Sequence, residues 1–191
     1  MGVRLIGVTA FVYGLVFGVA HADHRALGKF RNTYYYTVRE ADAAQGSAMS
    51  DLLDMSGAVV ARVNRVFKRA LDIEGSGILL DSRVVNFSGR INGDIRYQQT
   101  RHPVGRGIGD CALVPFKTIA VDPEIIPLGS VVKIDETEGM LLPNGTRHDG
   151  LWRAEDVGSA IQKDRIDLFV GAGDNGQYCG NHFGIALAPH A

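Results

Sequence analysis

Three aspartates are placed where carboxyl groups can do chemistry. Asp122 closes the run KTIAVD (117–122) just before Pro123, Asp156 closes LWRAED (151–156), and Asp167 lies inside RIDLFVG (165–171). Successive side chains of a strand point to opposite faces, so Ile166, Leu168 and Val170 share one face while Arg165, Asp167 and Phe169 share the other. If the aliphatic face fills a barrel, Asp167 emerges on its outside. Singly, each aspartate reads as a strand-end carboxylate bonding turn amides. Together, among aliphatic neighbours and glycines, they suit glycoside cleavage, in which a carboxyl group kept protonated by burial or by like charge donates to the leaving oxygen. After Asp156, the Val157-Gly158-Ser159 sequence allows a sharp turn whose backbone N–H groups face a ligand.

The elements that must hold these residues are mostly strands. The run NTYYYTV (32–38) is β-branched and aromatic, and short apolar runs follow at 78–80, 83–87, 117–122, 130–135, 151–156, 165–171 and 182–188. Between 83–87 and 117–122 lies a polar, glycine-rich stretch, 88–109. Pro123 and Pro127 bracket a tight connection, and 141–150 reads as an exposed hairpin loop. Leu52, Val59, Val60, Val63, Val66, Phe67, Ala70 and Leu71 follow helical spacing, which predicts one longer packed helix over about 51–71. The expected class is mainly β, a closed or nearly closed barrel with that helix and short connecting helices.

Composition removes other classes. With 20 basic against 21 acidic residues in 191, and no cluster of cations with stacking aromatics, nucleic acid is not an expected partner. A hydrophobic content of 46% and 24 glycines fit a turn-rich folded domain rather than disorder. No CxxC or HExxH occurs and the six histidines are scattered, so no metal or other cofactor is expected.

Residues 1–22 read as a secretory leader: Arg4, an apolar run over 5–19, and Ala20-His21-Ala22 before Asp23, with cleavage expected after Ala22. The run is shorter than the roughly 20 residues of a spanning helix. The mature chain, 23–191, is then one domain of an exported protein, periplasmic or released. In an oxidising compartment Cys111 and Cys179 either pair as a disulfide or remain as two buried thiols.

The segments TIAVDPEIIPLGSVV (118–132), RAEDVGSAIQKDRIDLFVGAG (153–173) and NHFG (181–184) resemble the three-aspartate (3D) domain of the membrane-bound lytic transglycosylase A family and of small stationary-phase muralytic proteins. The upstream run DIEGSGILLDSRVVNFSG (72–89) is similar to a variant of that domain with its own Glu-Gly-Ser-Gly signature. The resemblance implies a six-stranded double-psi β-barrel with glycan across its surface. It implies Asp167 as the acid/base, flanked by Asp156 and Asp122. It further implies a peptidoglycan lytic transglycosylase that protonates the oxygen between N-acetylmuramic acid and N-acetylglucosamine and closes a 1,6-anhydro ring. The expected partner is the glycan strand of a monomeric enzyme, with a cell-wall targeting partner as an addition. A glycoside hydrolase on the same barrel and a non-catalytic, expansin-like glycan binder are the alternatives.

The substrate-binding candidates are Glu74, Thr33, Tyr35, Gly158, Ser159 and His182. Glu74 reads either as a sugar contact or second carboxylate, or as a turn residue, and Tyr35 either as a groove residue or as sheet packing. His182 and Trp152 read first as structural residues. Ser159 stands where the family has glycine, and Gln162-Lys163-Asp164 replaces its Lys-Gly. The chain is expected to be too short to carry the second domain that walls the groove in larger relatives.

Overall fold

The computed structural model describes residues 25–43, 48–174 and 182–187, so the leader and Cys179 lie outside the described residues. In chain order the strands are β1 (Arg25–Arg39), β2 (Met49–Leu53), β3 (Val59–Asn64), β4 (Ser76–Ile78), β5 (Val84–Ile91), β6 (Asp94–Thr100), β7 (Thr118–Ala120), β8 (Val131–Lys133), β9 (Leu151–Asp156), β10 (Arg165–Ala172) and β11 (His182–Leu187). A single α-helix among the described residues, α1 (Arg65–Glu74), joins β3 to β4. Single-turn 3-10 helices at Glu40–Asp42, Ile108–Asp110 and Asp135–Thr137 supply the short connections.

Six strands close on themselves in the order β10-β7-β9-β8-β11-β1, and β1 pairs β10 to complete the barrel. The β1–β10 and β7–β9 pairs are parallel and the others antiparallel. The barrel is filled by the inward residues of each strand. These include Ile119, Val132, Trp152, Ala154, Ile166, Leu168 and Val170, all at most 2% exposed. The alternation read in RIDLFVG is therefore the alternation of the structure. Trp152 packs on the His148 ring at 4.6 Å and donates to the Thr137 hydroxyl at 2.9 Å, which satisfies its indole N–H inside the core. It has no face left for a sugar.

β1 leaves the barrel at its far end. Val38 and Arg39 pair β4, which continues into β5 and β6. There Val38, Leu52, Val63, Phe67, Leu71, Val85 and Tyr97 form a second core.

The helix expected over 51–71 is present only from Arg65, and 49–64 is an antiparallel hairpin. The apolar spacing fits both periods, and turn chemistry decides between them. Asp54 Oδ1 accepts from the amides of Ser56 and Ala58 at 2.8 and 2.9 Å, Gly57 takes φ +88°, and the β-branched Val59, Val60 and Val63 are suited to the pleat. Asn64 then caps α1 by accepting from Val66 N–H at 2.7 Å. The polar stretch 88–109 also holds a strand that the composition hides. Asn92 and Gly93 both take positive φ, 51° and 87°, and turn β5 into β6 as a tight hairpin.

Candidate active site

On the outer face of the barrel, Asp167 of β10 and Asp156 of β9 occupy register positions on either side of Ala120 in β7. Strands lie about 4.8 Å apart, which puts the two backbones roughly 10 Å from each other with only a methyl group between. Ala120 and Asp156 line a groove of about 390 Å³, and Asp167 stands one register position beyond its floor.

Asp156 is bound on both oxygens. The Tyr35 hydroxyl donates to Oδ2 at 2.8 Å and the Val157 amide to Oδ1 at 2.9 Å. Both bonds favour the carboxylate, yet burial outweighs them, and with the Asp167 charge it raises the Asp156 pKa to about 6. Tyr35 is 8% exposed and packs its ring on Phe169 at 5.1 Å. Tyr35 also lines the groove, and its hydroxyl is held protonated, by burial first and by Asp156 next.

Asp167 is half-buried, and its Oδ1 is enclosed with no hydrogen-bond partner among the described residues. Burial raises its pKa, against the opposing effects of the Thr33 hydroxyl and the Arg165 charge. Thr33 is its register partner on β1 and also accepts from Arg165 Nη2 at 3.2 Å. An enclosed carboxyl oxygen without a donor is costly as an anion and acceptable when protonated.

The facing wall is built by the Glu-Gly-Ser-Gly segment. α1 ends at Glu74 because Gly75 takes the left-handed conformation, φ +79°, that closes the helix. Gly77 lets β4 press against the helix: a Cβ there would lie 2.7 Å from Phe67 Cζ and 2.9 Å from Leu71 Cδ1. Ser76 is buried and accepts from Asn86 Nδ2 at 2.8 Å. The motif thus directs Glu74 into the groove, where Oε2 accepts from Tyr36 N–H at 3.1 Å. Burial raises its pKa to about 7, with smaller contributions from Asp167 and Asp174. A facing wall is therefore built within this chain. It comes from the end of α1, β4 and β5.

Gly158 and Ser159 line the groove beside Asp156, and their amides find no acceptor among the described residues. The Val157 amide is taken by Asp156 itself. Gly158 has no room for a side chain, since a Cβ would meet Ile161 Cγ1 at 2.8 Å. Asp122 lies apart from the groove. Its Oδ1 accepts from Glu124 N–H at 3.0 Å and its Oδ2 from Lys163 N–H at 2.8 Å, bonds that hold its pKa below the ordinary value. It ties the β7–β8 connection to the turn before β10. His182 pairs Arg31 in the barrel register, and its side chain lies outside the described residues. Cys111 is exposed, on the loop before β7. Sequence reasoning missed Phe87, Arg90 and Arg106 in the groove lining. Phe87 and Arg90 come together through the bulge of β5, which composition does not show, and Arg106 lies in the loop after β6.

Residues 117–186, which include the three aspartates, match the family model of the 3D domain. The barrel also resembles solved structures. E. coli MltA with bound chitohexaose is 19% identical, with a TM-score of 0.61 over 84% of this chain and 71% of that one. A membrane-bound lytic murein transglycosylase from Agrobacterium tumefaciens is 15% identical, with a TM-score of 0.52 over 85% and 67%. At these identities the likeness is one of fold. No curated protein sequence matches the chain.

Proposed function

We propose that this chain is a peptidoglycan lytic transglycosylase of a single domain, exported, monomeric, and acting in the periplasm or outside the cell. The observation that carries the reading is the placement of Asp167 and Asp156 around Ala120, opposite Glu74, with all three carboxyl groups raised toward neutrality by burial. Asp167 protonates the glycosidic oxygen after N-acetylmuramic acid, and the C6 hydroxyl of that sugar attacks C1 as the bond breaks. The same carboxylate then takes the C6 proton, leaving a 1,6-anhydro end and no added water. Burial favours the protonated Asp167 from which the transfer starts. Asp156 keeps a second proton nearby, and the free amides of Gly158 and Ser159 face the glycan. Ile73, Phe87, Ile108 and Val157, all partly exposed around the groove, suit the methyl groups and C–H faces of N-acetyl sugars.

Glu74 favours a second reading, hydrolysis, because an acid near pH 7 across the groove provides the second carboxyl group that hydrolases use. Digestion of purified peptidoglycan followed by mass analysis separates the two. Products lighter by one water, lost with Asp167→Asn, support the transglycosylase; reducing ends lost with Glu74→Gln support the hydrolase. Glycan that is bound but left intact would overturn both in favour of an expansin-like binder.

A further inference from the structure

In the connection between β6 and β7, Arg106 is the one residue of Gly105-Arg106-Gly107 that carries a side chain. Both glycines are wedged. A Cβ on Gly105 would lie 2.6 Å from Ser76 Oγ in β4, and one on Gly107 would overlap the Glu155 carbonyl oxygen in β9. Between them the side chain of Asn86, buried in β5, pairs with the Arg106 backbone as a neighbouring strand would. Its Oδ1 accepts from the Arg106 N–H at 3.1 Å, and its Nδ2 donates to the Arg106 C=O at 3.0 Å. The same Nδ2 donates to Ser76 Oγ at 2.8 Å. The segment is thus fixed against β4, β5 and β9 at once, and Arg106 takes a defined place in the groove lining.

The guanidinium is held as well. The Gln98 side-chain oxygen accepts from Arg106 Nε at 2.6 Å and also from Nη2. Asp110 faces Nη1 at 3.8 Å, beyond hydrogen-bond distance, and its own oxygens are bonded by Arg101 Nη2 at 3.0 Å and His102 Nε2 at 3.2 Å. Of the five N–H groups of the guanidinium, those on Nη1 and one on Nη2 find no acceptor among the described residues. With Asp110 balancing its charge, Arg106 offers the groove directed N–H donors on a fixed frame rather than a free cation.

A cell-wall glycan presents two carbonyl groups to such donors. One is the acetamido C=O on every sugar. The other is the lactyl group of each muramoyl unit, a carboxylate in peptide-free strands and an amide where a peptide is attached. We propose that Arg106 is a glycan-binding residue that donates to a carbonyl oxygen of these substituents, and that Asn86 is a positioning residue acting through it. The inference rests on the peptidoglycan reading above and names the donor that grips the strand.

Binding tests this without cleavage. The Asp167→Asn protein is titrated with chitohexaose, which carries acetamido groups alone, and with a peptide-free muramoyl strand of equal length, which carries lactyl carboxylates too. Adding Arg106→Ala is expected to weaken binding about tenfold. Loss with both ligands identifies the acetamido oxygen as the acceptor; loss with the muramoyl strand alone identifies the lactyl group. Unchanged affinity for both overturns the inference and leaves the peptidoglycan reading standing. Asn86→Ala, measured below its melting temperature, is expected to weaken the same ligands and to add nothing once Arg106 is alanine. Losses that add in the double variant contradict a role through Arg106. Where Asn86→Ala does not fold, the Arg106 titrations decide. Failure of the Asp167→Asn protein to bind either ligand overturns the inference and the peptidoglycan reading together.

Discussion

The Tyr35 hydroxyl, carried by β1, donates to the Asp156 carboxylate at the end of β9 across 2.8 Å, from a ring packed on Phe169 in the outer layer of the barrel. A residue that the sequence offers as a sugar contact is thereby a support for the carboxyl group beside the proposed acid. The bond lowers the Asp156 pKa against the larger effect of burial, so the pair sets where Asp156 gives up its proton. Tyr35→Phe should raise that point and move the alkaline limb of the pH–rate profile upward, lowering kcat about tenfold with KM little changed. A profile identical to wild type would mean that Asp156 does not titrate in the reaction.

Stability should change with pH in a direction fixed by Asp156 and Glu74. Both acids have folded-state pKa values raised, from 3.8 to about 6 and from 4.5 to about 7. The folded protein therefore binds more protons than the unfolded chain over about pH 4 to 7, and stability falls as pH rises through that window. Asp156→Asn removes the buried charge. It should stabilise by about 1–3 kcal/mol at pH 8 and by little at pH 4, read from urea unfolding at the two values.

Much of this arrangement can be read in the residue order. Ile166, Leu168 and Val170 fill the barrel as their alternation requires, and that alternation alone places Asp167 on the outer face. The short strands around Asp122 and Asp156 are legible for the same reason. The helix over 51–71 is not, because Leu52 through Val63 satisfy a period of 3.6 as well as a period of 2, and the choice lies in Asp54 and Gly57. The Asn92-Gly93 turn was available as a hairpin signal, masked by the polar residues around it. What the order of residues does not contain is the distance between segments. Glu74 reaches the groove only because α1 packs through Gly77, and Phe87 and Arg90 share a side only because β5 bulges.

That packing is testable at Gly77. Gly77→Ala places a methyl group against Phe67 and Leu71, and relief requires α1 to move away from β4. The expected cost is about 1–3 kcal/mol of stability. Because Glu74 is the last residue of α1, activity should fall further than the loss of folded protein explains. Activity per folded molecule equal to wild type would show that the helix position does not matter to the groove.

Asp122 gives a contrasting prediction. Its oxygens are occupied by the amides of Glu124 and Lys163, so its contribution is to hold two loops together. Asp122→Ala should lower the melting temperature at neutral pH. The loss should shrink as pH falls below the ordinary value of 3.8, where the wild-type group too becomes protonated and its bonds are lost. The pH optimum of activity should not move. A shifted optimum would mean that Asp122 acts on the titrating carboxyl groups directly.

The central claim is that Asp167 transfers a proton without admitting water to the product, and digestion of peptidoglycan in ¹⁸O-labelled water tests it most directly. The account predicts anhydro-muropeptides free of label from the wild-type protein and none from Asp167→Asn at equal folded concentration. Labelled reducing ends, or anhydro products that persist in Asp167→Asn, would contradict it.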